Sequence, residues 1–178
     1  MLLTAAASAI LMLLQQAPAE GTDWDAEFGV EVKERDPVTG EIPVEPYAQS
    51  NANAGATPYD SAGLVRDFGG REGIARIAAR TVDLSEADPR IAAIFAAHDM
   101  VRLKRTLGEQ FCYLIGAGCD YSGRDMRTAH AEMGVTKADM NALVENLQTA
   151  MREAGVPFAA QNRLLAKLAP MSGQVVER

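Results

Sequence analysis

Met100, Leu103, Leu107, Phe111 and Leu114 follow one another at steps of three and four residues. On an α-helix that spacing makes one unbroken apolar face, and such a face is stable only when another element covers it. Asp99 stands directly before the stripe, where a short acidic side chain caps a helix and lets it run to Ile115. Three further stripes accompany it. Ile74, Ile77, Ala78 and Val82 mark a helix from Arg71 to about Leu84. Met140, Leu143, Leu147, Met151 and Ala154 follow Thr136 and Asp139, a weaker form of the capping box, and stop at Gly155. Leu164, Leu165 and Leu168 lie behind Pro157, a residue suited to the first turn of a helix. Shorter helical pieces are expected at Ser61 to Asp67, closed by Gly69-Gly70, and at Arg90 to Ala96, after the break at Asp88-Pro89. No segment alternates apolar and polar residues convincingly, as a half-buried strand does. The predicted fold is all-α.

The front of the chain is built differently. Glu20, Asp23, Asp25, Glu27, Glu31, Glu34, Asp36, Glu41, Glu45 and Asp60 are set against only Lys33 and Arg35, so this segment carries the acidity behind the net charge of −7. Pro37, Pro43, Pro46 and Pro58 and the run Ser50-Asn51-Ala52-Asn53-Ala54-Gly55 complete a composition too poor in apolar surface to offset chain entropy. Residues 20–60 are therefore expected to form an acidic, mostly irregular tether before a globular domain at 61–178. Trp24, Phe28, Val30 and Val32 offer the alternative of a short hairpin or docked segment. The globular part is near neutral and shows no basic stripe with interleaved aromatics, which argues against nucleic acid as a partner.

Ahead of the tether, Leu2 to Leu14 is an uncharged apolar run followed by Ala17-Pro18-Ala19. Small residues at the positions a signal peptidase inspects make residues 1–19 an expected export signal. The run is shorter than the roughly 20 residues that span a bilayer, so no membrane attachment is expected of the mature form. The absence of Lys or Arg at its start departs from the usual signal, and a cytoplasmic protein is the alternative.

Cys112 and Cys119 are the only cysteines, at a spacing that matches neither a redox pair nor a covalent haem attachment site. On one continuous helix they would lie about 10 Å apart, too far to bridge. Gly116 and Gly118 fall between them, so the pair is either brought together by a bend or left as one buried thiol and one loop thiol. His130 is one of two histidines and lies on a short helical run between Gly123 and Gly134. A histidine in such a place is either hydrogen-bonded and partly buried or a metal ligand; an imidazole on a short helix beside an apolar stripe suits the iron of a haem.

Several separate landmarks, in order, resemble those of a truncated haemoglobin, most similar to the first group of that family. They are Phe68-Gly69-Gly70, Ala87-Asp88-Pro89 with Ile94-Phe95, Met100-Val101-Arg102-Leu103-Lys104, Tyr121-Ser122-Gly123 with Met126, Ala129-His130, Gly155-Val156-Pro157, and Leu168-Ala169-Pro170. The resemblance spans roughly residues 64–176. It implies a two-over-two helical sandwich around a b-type haem, with His130 on the iron and Phe95 stacked on the macrocycle. It further implies Leu103 and Leu107 on the distal side, and Phe111, Met126, Val135, Met140, Leu143 and Leu168 along the rest of the pocket. Leu114 and Leu147 are expected to be core. Arg102, Lys104, Arg105 and Tyr121 are the candidates to meet the propionates.

The departures fall on the distal side. The family's hydrogen-bonding tyrosine, the second of an aromatic pair, is replaced, the pair here being Thr81 and Val82, and a common glutamine is replaced by Leu107. The expected pocket is mainly apolar, with Thr81, Thr106 or a water as the remaining sources of a donor. His98 is either an exposed capping residue or an internal sixth ligand. The expected function is binding of small diatomic ligands (oxygen, carbon monoxide, nitric oxide), with nitric oxide dioxygenation or peroxide turnover as side activities. The alternatives are a haem-based sensor or redox partner, whose tether docks a reductase or another protein, and a haem-free interaction module.

Overall fold

Each helix begins and ends where its local chemistry requires. The Ser61 hydroxyl accepts the Leu64 N–H at 3.3 Å and starts α1, Ala62–Asp67. Helix α2, Gly70–Ala87, runs past the expected Leu84 and yields at Asp88-Pro89, where the ring cannot continue the ladder. A single turn, α3, Ala92–Phe95, leads to α4, Met100–Ile115, whose first turn is capped by Asp99 accepting the Val101 N–H at 3.2 Å. After a loop come α5, Met126–His130, and α6, Lys137–Glu153, which opens with a complete capping box between Thr136 and Asp139. Helix α7, Phe158–Leu168, follows Pro157, and α8, Ser172–Val175, closes the fold. This computed structural model describes residues 33–178, and no strand occurs among the described residues. Helix α5 stops at His130, short of the expected Gly134, because Ala131 turns extended and Glu132 enters the left-handed region at φ 66°.

Packing follows the stripes. Helix α2 lies along both α4 and α6, and α7 lies on α4. Gly108 lies in the first of these contacts, facing Ala75 and Ala78 at ordinary van der Waals distance. Ile74, Ile77, Ala78, Leu114, Ile115, Met151 and Leu164 are at most 2% exposed and form the centre of the core. Leu114 and Leu147 belong to it, as expected. The two pairs of helices make the two-over-two sandwich. No helix of the described residues is long and apolar enough to cross a membrane.

The described part of the acidic segment is irregular, apart from a 3-10 turn at Asn51–Ala54, but it is docked. Glu34–Arg178 form one unit. Arg35 donates to Asp99 Oδ1 at 2.7 Å, and the Ile42 N–H donates to Asp99 Oδ2 at 2.7 Å. Tyr47 donates to Ser122 O at 2.9 Å, Asn51 to Asp120 at 2.9 Å, and Asn53 to Gly123 O at 3.1 Å. Composition argues for a free tether because it counts apolar surface; polar contacts specific to one partner leave no such trace. The expected export signal at 1–19, the front of the tether, and Trp24, Phe28, Val30 and Val32 lie outside the described residues.

Helix α4 ends with Gly116 at φ 85°, a conformation that favours glycine, and a side chain there would collide with the Tyr59 carbonyl. Gly118 turns the chain again, and Cys119 returns to Cys112 with a Cα separation of 5.7 Å, within the range of a disulfide. The two cysteines are bonded, so the bend resolves the choice left by the sequence. Arg71 reinforces the loop by donating to Ala117 O at 2.8 Å and to Gly118 O at 2.6 Å. A short closed loop of this kind constrains the unfolded chain by about 2–3 kcal/mol. Dithiothreitol is expected to lower the urea-unfolding free energy by that amount, and a Cys112→Ser, Cys119→Ser protein should show no further loss on reduction.

Candidate functional site

Helix α5 is little more than one turn, set by the Asp125 carboxylate accepting the Thr128 N–H at 3.0 Å. Its last residue is His130, half-buried, whose Nδ1 lies 2.7 Å from the Met126 carbonyl oxygen. A carbonyl can only accept, so Nδ1 carries the proton, and in the neutral ring Nε2 is the nitrogen left to bind a metal. Metal-binding imidazoles are oriented in this way, by a hydrogen bond from the ring nitrogen that does not bind. No hydrogen bond among the described residues engages Nε2.

Phe111, Met126 and Val135 are buried in the main core. Leu107, Met140 and Leu168 are partly buried and pack against that core, while Phe95, Leu103 and Leu143 are half-buried. Apolar side chains left half-exposed on α3, α4, α6 and α7 are what the walls of an apolar slot require. On α2, Thr81 and Val82 are both 1% exposed. The Thr81 hydroxyl donates to Ile77 O at 2.8 Å, and the Thr106 hydroxyl donates to Arg102 O at 3.0 Å. Each hydroxyl has one proton, and each is committed to its own helix. His98 is exposed in the turn before α4, with its backbone N–H on Phe95 O at 3.0 Å.

The basic candidates have partners of their own. Lys104 pairs with Asp83 at 2.6 Å, and Tyr121 is buried with its hydroxyl on Arg124 O at 2.9 Å. Burial pushes the Tyr121 phenol up to about 12. Arg105 grips Glu41 through Nε and, at 3.0 Å, through Nη2; Arg102 reaches the same carboxylate at 3.2 Å. Arg105 also donates to Glu109 at 2.8 Å and to Ser122 at 2.6 Å.

Residues 64–177 match the bacterial-like globin family. The chain belongs to that family. A group 1 truncated haemoglobin of Mycolicibacterium paratuberculosis is 28% identical to this globin over 89 residues, 50% of this chain and 65% of its own length. One from Chlamydomonas moewusii is 31% identical over 98 residues, 52% of this chain and 56% of its own length. The globin thus spans less than two thirds of those relatives. The Fe(III) form of the truncated haemoglobin from Tetrahymena pyriformis superposes with a TM-score of 0.61 at 22% identity, covering 65% of this chain and 98% of that one. A two-over-two haemoglobin from Synechococcus, in its cyanomet state with covalently attached haem, gives 0.60 at 24%, covering 66% and 100%. These likenesses carry the fold, and it is the one the landmarks imply.

Gln110 and Glu41 are buried polar groups that the sequence alone does not reveal. Gln110, 5% exposed, donates to Ala54 O at 3.1 Å and rests on the Met126 sulfur at 3.4 Å. Its signal is positional: it is a polar residue seven after Leu103, on the apolar face of α4. Glu41, 6% exposed, had no signal, because its partners are more than sixty residues away. Hydrogen bonds from Arg105 hold the Glu41 carboxyl below its ordinary range. A depressed folded value means that this contact is complete above the unfolded value of about 4.3 and is lost as pH falls through the folded one. The Tyr47 ring resonances should therefore shift toward their unfolded positions below about pH 4. In Glu41→Gln they should already be partly shifted at pH 7, with a smaller acid step.

Proposed function

We propose that the globin holds a b-type haem, with His130 Nε2 on the iron, and binds small diatomic ligands on the opposite face. The observation that carries this is the Nδ1–H to Met126 O hydrogen bond, which presents the free nitrogen on a ring that cannot turn without losing a partner. The half-buried Phe95, Leu103, Leu107, Met140, Leu143 and Leu168 would form the walls of the slot, and Phe95 would stack on the macrocycle. Phe111, Met126 and Val135 would back that wall from the core. When bound, such a group supplies an iron with an open position for one small molecule.

The chain's own residues then decide which molecule stays. With Val82 and Leu107 in place of donors, and both threonine hydroxyls committed to carbonyls, the distal face offers little to a polarised ligand. A hydrogen bond to such a ligand contributes about 1–3 kcal/mol, so its loss disfavours oxygen relative to carbon monoxide and favours oxidation to the ferric state. Export would suit the bonded Cys112 and Cys119, since disulfides persist in oxidising compartments. The apolar run Leu2 to Leu14 and Ala17-Pro18-Ala19 support the same location, and the mass of the purified mature protein tests it.

Full-length protein mixed with ferric haem is expected to show a Soret band and an axial imidazole. In His130→Ala the imidazole signature should vanish and return with added imidazole. A wild-type protein without a Soret band, or axial ligation that survives His130→Ala, rejects the assignment and leaves a haem-free module. Val82→Tyr and Leu107→Gln together should shift the partition between oxygen and carbon monoxide toward oxygen by about tenfold and slow autoxidation, read by laser photolysis and absorbance.

A further inference from the structure

The loop after His130 is held from outside. Ala131 is extended, Glu132 takes φ 66° although it is not glycine, and Gly134 takes φ 64°. A left-handed glutamate persists only where its surroundings over-determine it. Here the determinant comes from the far end of the chain. Glu177 accepts the Glu132 N–H on Oε1 and the Gly134 N–H on Oε2, both at 2.7 Å. The backbone N–H groups of Glu177 and Arg178 donate to Val135 O at 2.9 and 3.3 Å, and the Arg178 guanidinium donates to Gly134 O at 3.1 Å. A side chain at Gly134 would run into that guanidinium. Helix α8, which precedes these residues, packs on α5, with Val175 in the core.

We infer that Glu177, with Arg178, is a positioning device for the His130 imidazole, acting through the backbone of residues 131–134. The inference rests on His130 being the haem ligand. His130 has two anchors, one on its ring and one on its backbone. One is the Met126 carbonyl, inside α5; the other is the loop that leaves α5 at His130 and returns a hydrogen bond from the Met133 N–H to His130 O at 3.3 Å. Without the latch, Glu132 and Gly134 lose the carboxylate that satisfies their N–H groups, and Glu132 loses the reason to stay left-handed. The end of α5 then frays, and with it the direction of Nε2. The carboxylate uses both oxygens as acceptors, so an amide is not a substitute: one end of glutamine would present N–H to N–H.

The test compares Glu177→Ala, Glu177→Gln and Arg178→Ala with wild type in two forms of the full chain. In the haem-free protein, amide hydrogen exchange at Glu132 and Gly134 should rise about tenfold in both Glu177 variants, and less in Arg178→Ala, with α4 and α6 unchanged. In the haem-loaded ferrous protein, the iron–histidine stretching band should broaden or shift in the same order. Haem loss to a scavenger globin should accelerate about tenfold. Unchanged exchange in Glu177→Ala removes the latch. Faster exchange with an unaltered iron–histidine band and haem loss leaves a latch that does not position His130, and overturns the inference. If wild type shows no iron–histidine band while the exchange pattern holds, the haem assignment fails and the positioning role with it. Should Glu177→Ala fold poorly, Glu177→Gln, which keeps the side chain's length and removes one acceptor, decides the matter by the same two readouts.

Discussion

The contact between α2 and α4 is the one on which the rest of the molecule depends. Both helices are amphipathic, and neither buries its stripe without the other. The way these two stripes pack sets where every later element can sit. Helix α6 covers the second flank of α2, and α7 covers α4. With α4 so fixed, its other side becomes a platform: Arg102, Arg105 and Glu109 project toward the 34–54 segment and the loop before α5. The strap of irregular chain is thus a consequence of the helix pair, not an independent unit beside it.

Much of this was legible because it is local. The stripe of α4, its Asp99 cap and the Thr136–Asp139 box are written within a few consecutive residues, and the structure keeps all three. The order of the family landmarks supplied the sandwich. What could not be read were groups whose meaning depends on a distant partner. Asp99 was legible as a cap but not as the acceptor of Arg35 and the Ile42 N–H, so burial, which would raise its pKa, is outweighed by those donors. Glu41 looked like one more solvated acid in an acidic run. Glu177 looked like any residue near the end of a helix. In each case a carboxylate makes several charge-assisted bonds to groups that sequence spacing cannot bring together.

The candidate site divides along the same line. His130 is a candidate because of its place among the landmarks; that its Nδ1 is the protonated nitrogen needs the Met126 carbonyl at 2.7 Å. The basic residues named as candidates for an anionic edge illustrate the opposite case. The charge that makes Arg102 and Arg105 candidates is already met by Glu41, Glu109 and Ser122. Charge assigns a residue an appetite; only packing says what feeds it.

Thr81 shows how a polar residue can sit at an apolar site without making it polar. A buried hydroxyl left unpaired would cost free energy, so the side chain turns to the carbonyl one turn back in its own helix. Ser85 repeats the device one turn later, donating to Thr81 O at 2.8 Å. The two hydroxyls thereby form a satisfied ladder along α2 that faces α6, and Asn146 joins it near the Asp88 turn. Freeing the Thr81 proton for anything across the helix would break that ladder at its first rung. The chemistry on that face is therefore governed by helix satisfaction before it is governed by any ligand, which is why a hydroxyl in the sequence is not equivalent to a donor in the fold.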